Sequence, residues 1–107
     1  MELKDIKCGD ILVVTFKKEN WHFPRNYIVF IASGEKVYLD CGGYCIPNIV
    51  FISLIGKFEV ERDSIGFQEE CCTLSRPSIA QYNEMKEALN DHGYRYNRKL
   101  KKIERLF

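Results

Sequence analysis

Between Ile11 and Glu61 the chain is a series of short apolar runs broken by turn residues, and runs of that length make strands rather than helices. Ile11–Phe16 (ILVVTF) and Tyr27–Ala32 (YIVFIA) are β-branched or aromatic almost throughout. The second has so little polar alternation that it belongs at the centre of a sheet. Asn20, Pro24 and Asn26 mark the segment between them as a loop. Ser33-Gly34-Glu35-Lys36 is expected to reverse the chain into Val37–Cys41 as a hairpin. Cys41–Asn48, with Gly42, Gly43 and Pro47, reads as a second irregular loop before a fourth strand over Ile49–Ile55. After a bend at Gly56, Phe58 and Val60 alternate with Lys57, Glu59 and Glu61 as a half-exposed fifth strand. Residues 63–74 read as a loop with a short extended piece at Cys71–Leu74.

The character changes at Ser75. Arg76-Pro77 stops extended structure, and Ser78-x-x-Gln81 has the form of a capping box that opens a helix. Helical spacing gathers Tyr82, Met85 and Leu89 into one stripe, with Ala88 and His92 beside it and Glu84, Glu87 and Asn90 on other faces. Gly93 ends the helix at lowest conformational cost. Tyr94–Asn97 then alternates as a strand, with Leu100–Leu106 as its returning partner. The fold expected is α+β: a small SH3-like or twisted antiparallel β-barrel of about five strands, then one α-helix and a C-terminal β-hairpin. At 107 residues the chain is expected to form a single domain, β-rich over 1–74 and helix plus hairpin over 75–107.

A chain of this size buries roughly two-thirds of its unfolded surface, so it needs neither metal nor disulfide to fold. Sixteen basic residues against fifteen acidic leave a net charge of +1, so attraction to nucleic acid or membrane must come from a local patch. No apolar run reaches membrane-spanning length, and the first residues do not resemble a secretion signal. The five cysteines, an odd number, read as free thiols in a reducing cytoplasm. The sharper alternative is a zinc site joining Cys41 and Cys45 to Cys71 and Cys72. Adjacent strand residues point to opposite faces, so Cys71 and Cys72 suit one ion poorly and no metal or cofactor is expected.

Several segments resemble a family of uncharacterised small proteins from gut Bacteroides-type bacteria and their phages and mobile elements. Ser78–Ile103 (SIAQYNEMKEALNDHGYRYNRKLKKI) is similar to that family's capped helix, Gly-Tyr-x-aromatic-Asn segment and lysine-rich closing strand. Asp5–Val13 resembles its opening turn and first strand, and Tyr27–Ile31 its second apolar strand. Lys86 and Tyr96 depart from the aromatic residue and the tryptophan usual there. The resemblance implies a cytoplasmic protein of mobile-element or phage ancestry, and carries no activity and no catalytic residue.

Enzyme motifs are absent from the sequence: there is no P-loop, no dinucleotide fingerprint and no His-Glu-x-x-His string. His22 lacks a neighbouring nucleophile, and His92 at a helix end suits a capping role, where imidazolium complements the helix dipole. Two binding surfaces stand out instead. Trp21, His22, Phe23 and Arg25 gather residue types that dominate protein interfaces, against a plain reading in which the aromatics fold inward. Tyr94, Arg95, Tyr96, Arg98, Lys99, Lys101, Lys102 and Arg105 form a basic segment with interleaved aromatics, suited to single-stranded nucleic acid if the rings face outward. If both tyrosines are core, the cations are only a solvated edge. The leading expectation is a non-enzymatic binding or adaptor module that contacts a protein partner or a second copy through the Trp21 loop or an exposed strand edge. A weak, non-sequence-specific nucleic-acid binder is the alternative. No membrane and no small-molecule substrate is evident in the sequence.

Overall fold

The computed structural model describes residues 6–17, 23–40, 42–68 and 70–106. The strands, in order, are β1 (Ile11–Phe16), β2 (Tyr27–Ala32), β3 (Val37–Tyr38), β4 (Tyr44–Ile52), β5 (Phe58–Phe67) and β6 (Cys72–Ser75). Helix α1 (Ile79–Asp91) and the strands β7 (Tyr94–Asn97) and β8 (Lys102–Arg105) follow. The fold is α+β: β1–β6 form a curled antiparallel half-barrel about five strands wide, accompanied by one helix and a C-terminal two-stranded hairpin.

Across the sheet the strands run β5, β4, β2, β1, β6. Strands β1 and β2 therefore lie at the centre, which explains their apolar composition: both of their faces are covered. Leu12, Val14, Phe30 and Ala32 face the inside of the curl with Ile6, Ile46 and Cys72. Ile11, Val13, Val29 and Ile31 face the other way and pack under Met85 and Leu89 of α1. A strand buried on both faces needs no polar alternation.

The sheet corrects three expectations, the last of them the length of the fifth strand. Ser33–Lys36 does not reverse the chain into a β2–β3 hairpin. Ala32 pairs with Asn48 and Val37 with Cys45, so β2 and β3 lie in line along one edge of β4, with residues 33–36 bulging between them. The true reversal is the turn from Leu39 to Gly43, closed by the Leu39 amide on the Gly43 carbonyl at 2.8 Å. The fourth strand also begins at Tyr44, inside the expected loop, and runs straight through Pro47. The Pro47 carbonyl accepts from the Ser33 amide at 2.8 Å, so its hydrogen-less nitrogen faces the same edge, where the chain has bulged away and no ladder bond is lost.

Ile49 is an extra residue in β4: Ile31 pairs with Val50 while Ala32 pairs with Asn48. The bulge shifts the alternation, so that Ile46 and Phe51 share the inner cluster while Ile49 and Val50 both join the helix-side cluster. The fifth strand extends to Phe67, well past the expected stop at Glu61.

The helix follows the sequence reading closely. The Ser78 hydroxyl accepts from the Gln81 amide at 3.1 Å, and the Gln81 side chain accepts from the Ser78 amide at 2.9 Å. Gly93, with φ of 85°, takes the left-handed position after the His92 cap. Ser78→Ala should cost about 1 kcal/mol, measured as a shift in the urea midpoint at unchanged m.

Candidate functional site

The first expected surface is only partly described, because Trp21 and His22 lie outside the described residues. Phe23 is 52% exposed, as an interface residue would be. Arg25 instead turns back onto the protein: its guanidinium lies 2.6 Å from the Glu84 carboxylate on α1 and 3.9 Å over the Tyr27 ring. It pins the end of the loop to helix and sheet.

The basic segment is divided by the hairpin. Tyr94 and Tyr96 are half-buried and pack against the helix-side core, so their rings are not presented as an open stacking face. The Tyr96 hydroxyl donates to the Gly9 carbonyl at 2.6 Å, and burial, together with the charge of Asp10 and the neighbouring Tyr82, pushes its pKa up to about 12. Arg95 pairs with Glu104 at 3.0 Å, and Lys101 with Asp10 at 2.9 Å. Arg98 lies 5.7 Å from the Tyr82 ring centre. Lys99, Lys102 and Arg105 remain exposed.

A buried carboxylate joins this hairpin to the rest of the chain. Asp10 is 3% exposed and accepts from the Lys7 amide at 2.9 Å, from Lys101 at 2.9 Å and from Arg76 at 3.0 Å. One side chain thus ties the opening turn to the approach to α1 and to the turn of the β7–β8 hairpin. Burial alone would raise its pKa, but the bonds from Lys101, the Lys7 amide and Arg76 outweigh it and hold the pKa below the usual carboxylate value. A depressed pKa stabilises the fold above the unfolded-state value near 4, and this contribution is lost as pH falls through the lower folded-state value. Asp10→Asn should cost about 2 kcal/mol at pH 7, since both cationic partners are about half exposed. The difference from the parent protein should shrink as urea melts are taken below pH 4.

Of the cysteines, Cys41 lies outside the described residues. Cys45 is half-buried, Cys71 exposed and Cys72 buried, its thiol donating to the Gln68 carbonyl at 3.1 Å. Among the described residues no three His, Cys, Asp or Glu side chains gather as a metal site would require. His92 caps α1, its Nδ1 2.8 Å from the Ala88 carbonyl and its ring 4.4 Å from that of Phe58.

The longest strand, β5, lies at one edge of the sheet. All of its ladder partners belong to β4, from Tyr44 opposite Phe67 to Ile52 opposite Phe58, so among the described residues its outer edge has no strand beside it. It is ten residues long, where the opposite edge strand β6 has four. Val60 is 52% exposed, and Ile55 in the preceding turn 63%. Sequence reasoning named an exposed strand edge without locating it, because β5 has the mixed composition of a half-covered strand. No described helix is long and apolar enough to cross a membrane. Comparison with protein-family models, curated proteins and solved structures gives no match, so the geometry alone carries the functional reading.

Proposed function

We propose that the protein is a non-enzymatic binding module, cytoplasmic and of the phage or mobile-element ancestry its resemblance implies, that captures an extended segment of a partner protein along β5. The observation that carries this reading is a ten-residue edge strand with no strand on its outer side among the described residues. Backbone N–H and C=O groups along such an edge are a template for an added strand, and neighbouring side chains then select the sequence. The exposed Val60 supplies an apolar contact there. The occupant is basic. Residues 59–70 carry Glu59, Glu61, Asp63, Glu69 and Glu70 against Arg62 alone; Glu59 pairs with Lys57 at 3.7 Å, and among the described residues the charged partners of the basic hairpin are Asp10 and Glu104, outside that stretch. The acidic stretch also disfavours a second copy pairing β5 on β5, since like charges would meet.

The nucleic-acid alternative has less support, because Tyr96 is tied to Gly9 and two of its cations are paired within the chain. A ten-residue peptide of alternating lysine and valine tests the strand-capture reading by NMR, with a proline-substituted peptide as control. The lysine–valine peptide should slow amide exchange along β5, the proline peptide should not, and Val60→Lys should weaken binding by about tenfold. Protection elsewhere in the fold would overturn the reading. So would concentration-dependent dimerisation through β5 without peptide, which would make a second copy the occupant.

A further inference from the structure

A second surface is independent of the strand edge. Between the start of α1 and the turn of the β7–β8 hairpin lies an open groove of about 510 Å³, lined by Pro77, Ser78, Ile79, Tyr82, Asn83, Lys86 and Arg98. That volume falls in the range of small-molecule sites and is too small for a folded partner. Its lining holds two cations and no acid. Lys86 is one helical turn beyond Tyr82, and Arg98 reaches the same ring from the hairpin, their charged groups 5.6 and 5.7 Å from its centre. These distances are at the outer limit of a cation–π contact, so the ring holds neither cation closely.

Tertiary structure brings the two cations to one groove. Tyr96 packs edge-on against Tyr82, with ring centres 6.2 Å apart, and is itself bonded to the Gly9 carbonyl, so the hairpin that carries Arg98 is seated on the helix. The lining also carries apolar surface: Ile79 is 83% exposed, the most exposed large hydrophobic residue among those described. The first turn of α1 has no acidic residue to offset the positive end of the helix dipole.

We propose that this groove binds a small phosphate-bearing molecule with a planar ring, the chemical class of a nucleoside monophosphate. Lys86 and Arg98 receive the phosphate, with guanidinium geometry favouring a paired contact to two of its oxygens. Ile79 and Pro77 cover one face of the ring, and the Asn83 amide meets its polar edge as donor or acceptor. Nothing in the linear sequence marks this site, since Lys86 and Arg98 fall in separate elements.

The test is an NMR titration of the full chain with AMP, adenosine and inorganic phosphate as separate probes. AMP should give saturable shifts at Ile79, Tyr82 and Asn83, and should bind at least about tenfold more tightly than either fragment. The double variant Lys86→Gln/Arg98→Gln, both positions being exposed, should keep its circular dichroism spectrum and lose at least tenfold in AMP affinity. Adenosine or phosphate binding as tightly as AMP would overturn the proposal. So would shifts centred on Lys99, Lys102 and Arg105, which mark unspecific charge attraction, or a double variant that binds AMP unchanged.

Discussion

Gly9→Ala should cost about 2–5 kcal/mol, a large part of the 5–15 kcal/mol by which domains are normally stable. Two causes add. Gly9 has φ of 93°, a left-handed backbone in which an L side chain costs about 1–2 kcal/mol. A Cβ on that backbone would also collide with the Lys101 carbonyl, which is main chain and cannot rotate away. Neither side can yield cheaply. The Gly9 amide donates to the Ala32 carbonyl at 2.7 Å and the Gly9 carbonyl accepts from Tyr96, while Lys101 is held through its side chain by Asp10. Forced overpacking of this kind adds about 1–3 kcal/mol or more. Gly42→Ala is the control: φ is 91°, but no atom of the described residues lies near the added methyl, so only the backbone term of about 1–2 kcal/mol remains. Urea unfolding of both variants measures the difference. A Gly9→Ala protein as stable as Gly42→Ala would mean that the opening turn does not sit against the hairpin.

The same turn shows how far local sequence reaches. Gly9-Asp10 is legible as a turn, because both residue types favour one. Nothing local says that the turn meets Lys101 and Tyr96 some ninety residues later in the chain, or that Asp10 is buried there among three donors. Elements whose signal is local come through well: the capping box at Ser78, the stop at Gly93, the helix stripe and the two central strands. Elements whose identity depends on a neighbour do not. The strand β3 exists only as a two-residue pairing with β4, and its register cannot be read from Val37-Tyr38 alone. Pro47 argues against a strand unless one knows that the chain beside it has bulged away. The far half of β5 lacks an apolar run because it is covered on one face only: Ile65 packs on the inner cluster while Ser64 and Gly66 are exposed. The candidate sites divide in the same way. An interaction edge was expected, but its place required the sheet order; the cation pair at Lys86 and Arg98 required the packing of hairpin on helix.

That packing rests on Leu89. Leu89 and Met85 are fully buried, and both belong to the cluster that joins Val29, Ile31 and Val50 of the sheet to Tyr94, Tyr96 and Ile103 of the hairpin. Leu89→Ala removes three methyl or methylene-sized groups from a site closed on one side by central strands buried on both faces. Such a site collapses poorly, so the loss should be about 3–4 kcal/mol, within the 2–5 kcal/mol range for this exchange. Glu87 lies on the exposed face of the same helix, and Glu87→Ala should change stability by about 0.5 kcal/mol or less. The comparison holds helix propensity nearly constant, because leucine and glutamate are both good helix formers. Leu89 also touches function, since α1 carries Tyr82 and Lys86 and seats the hairpin that carries Arg98. In urea melts Leu89→Ala should lower the midpoint at unchanged m. Equal losses from the two variants would place the buried face of α1 elsewhere, and the groove between helix and hairpin would lose its frame.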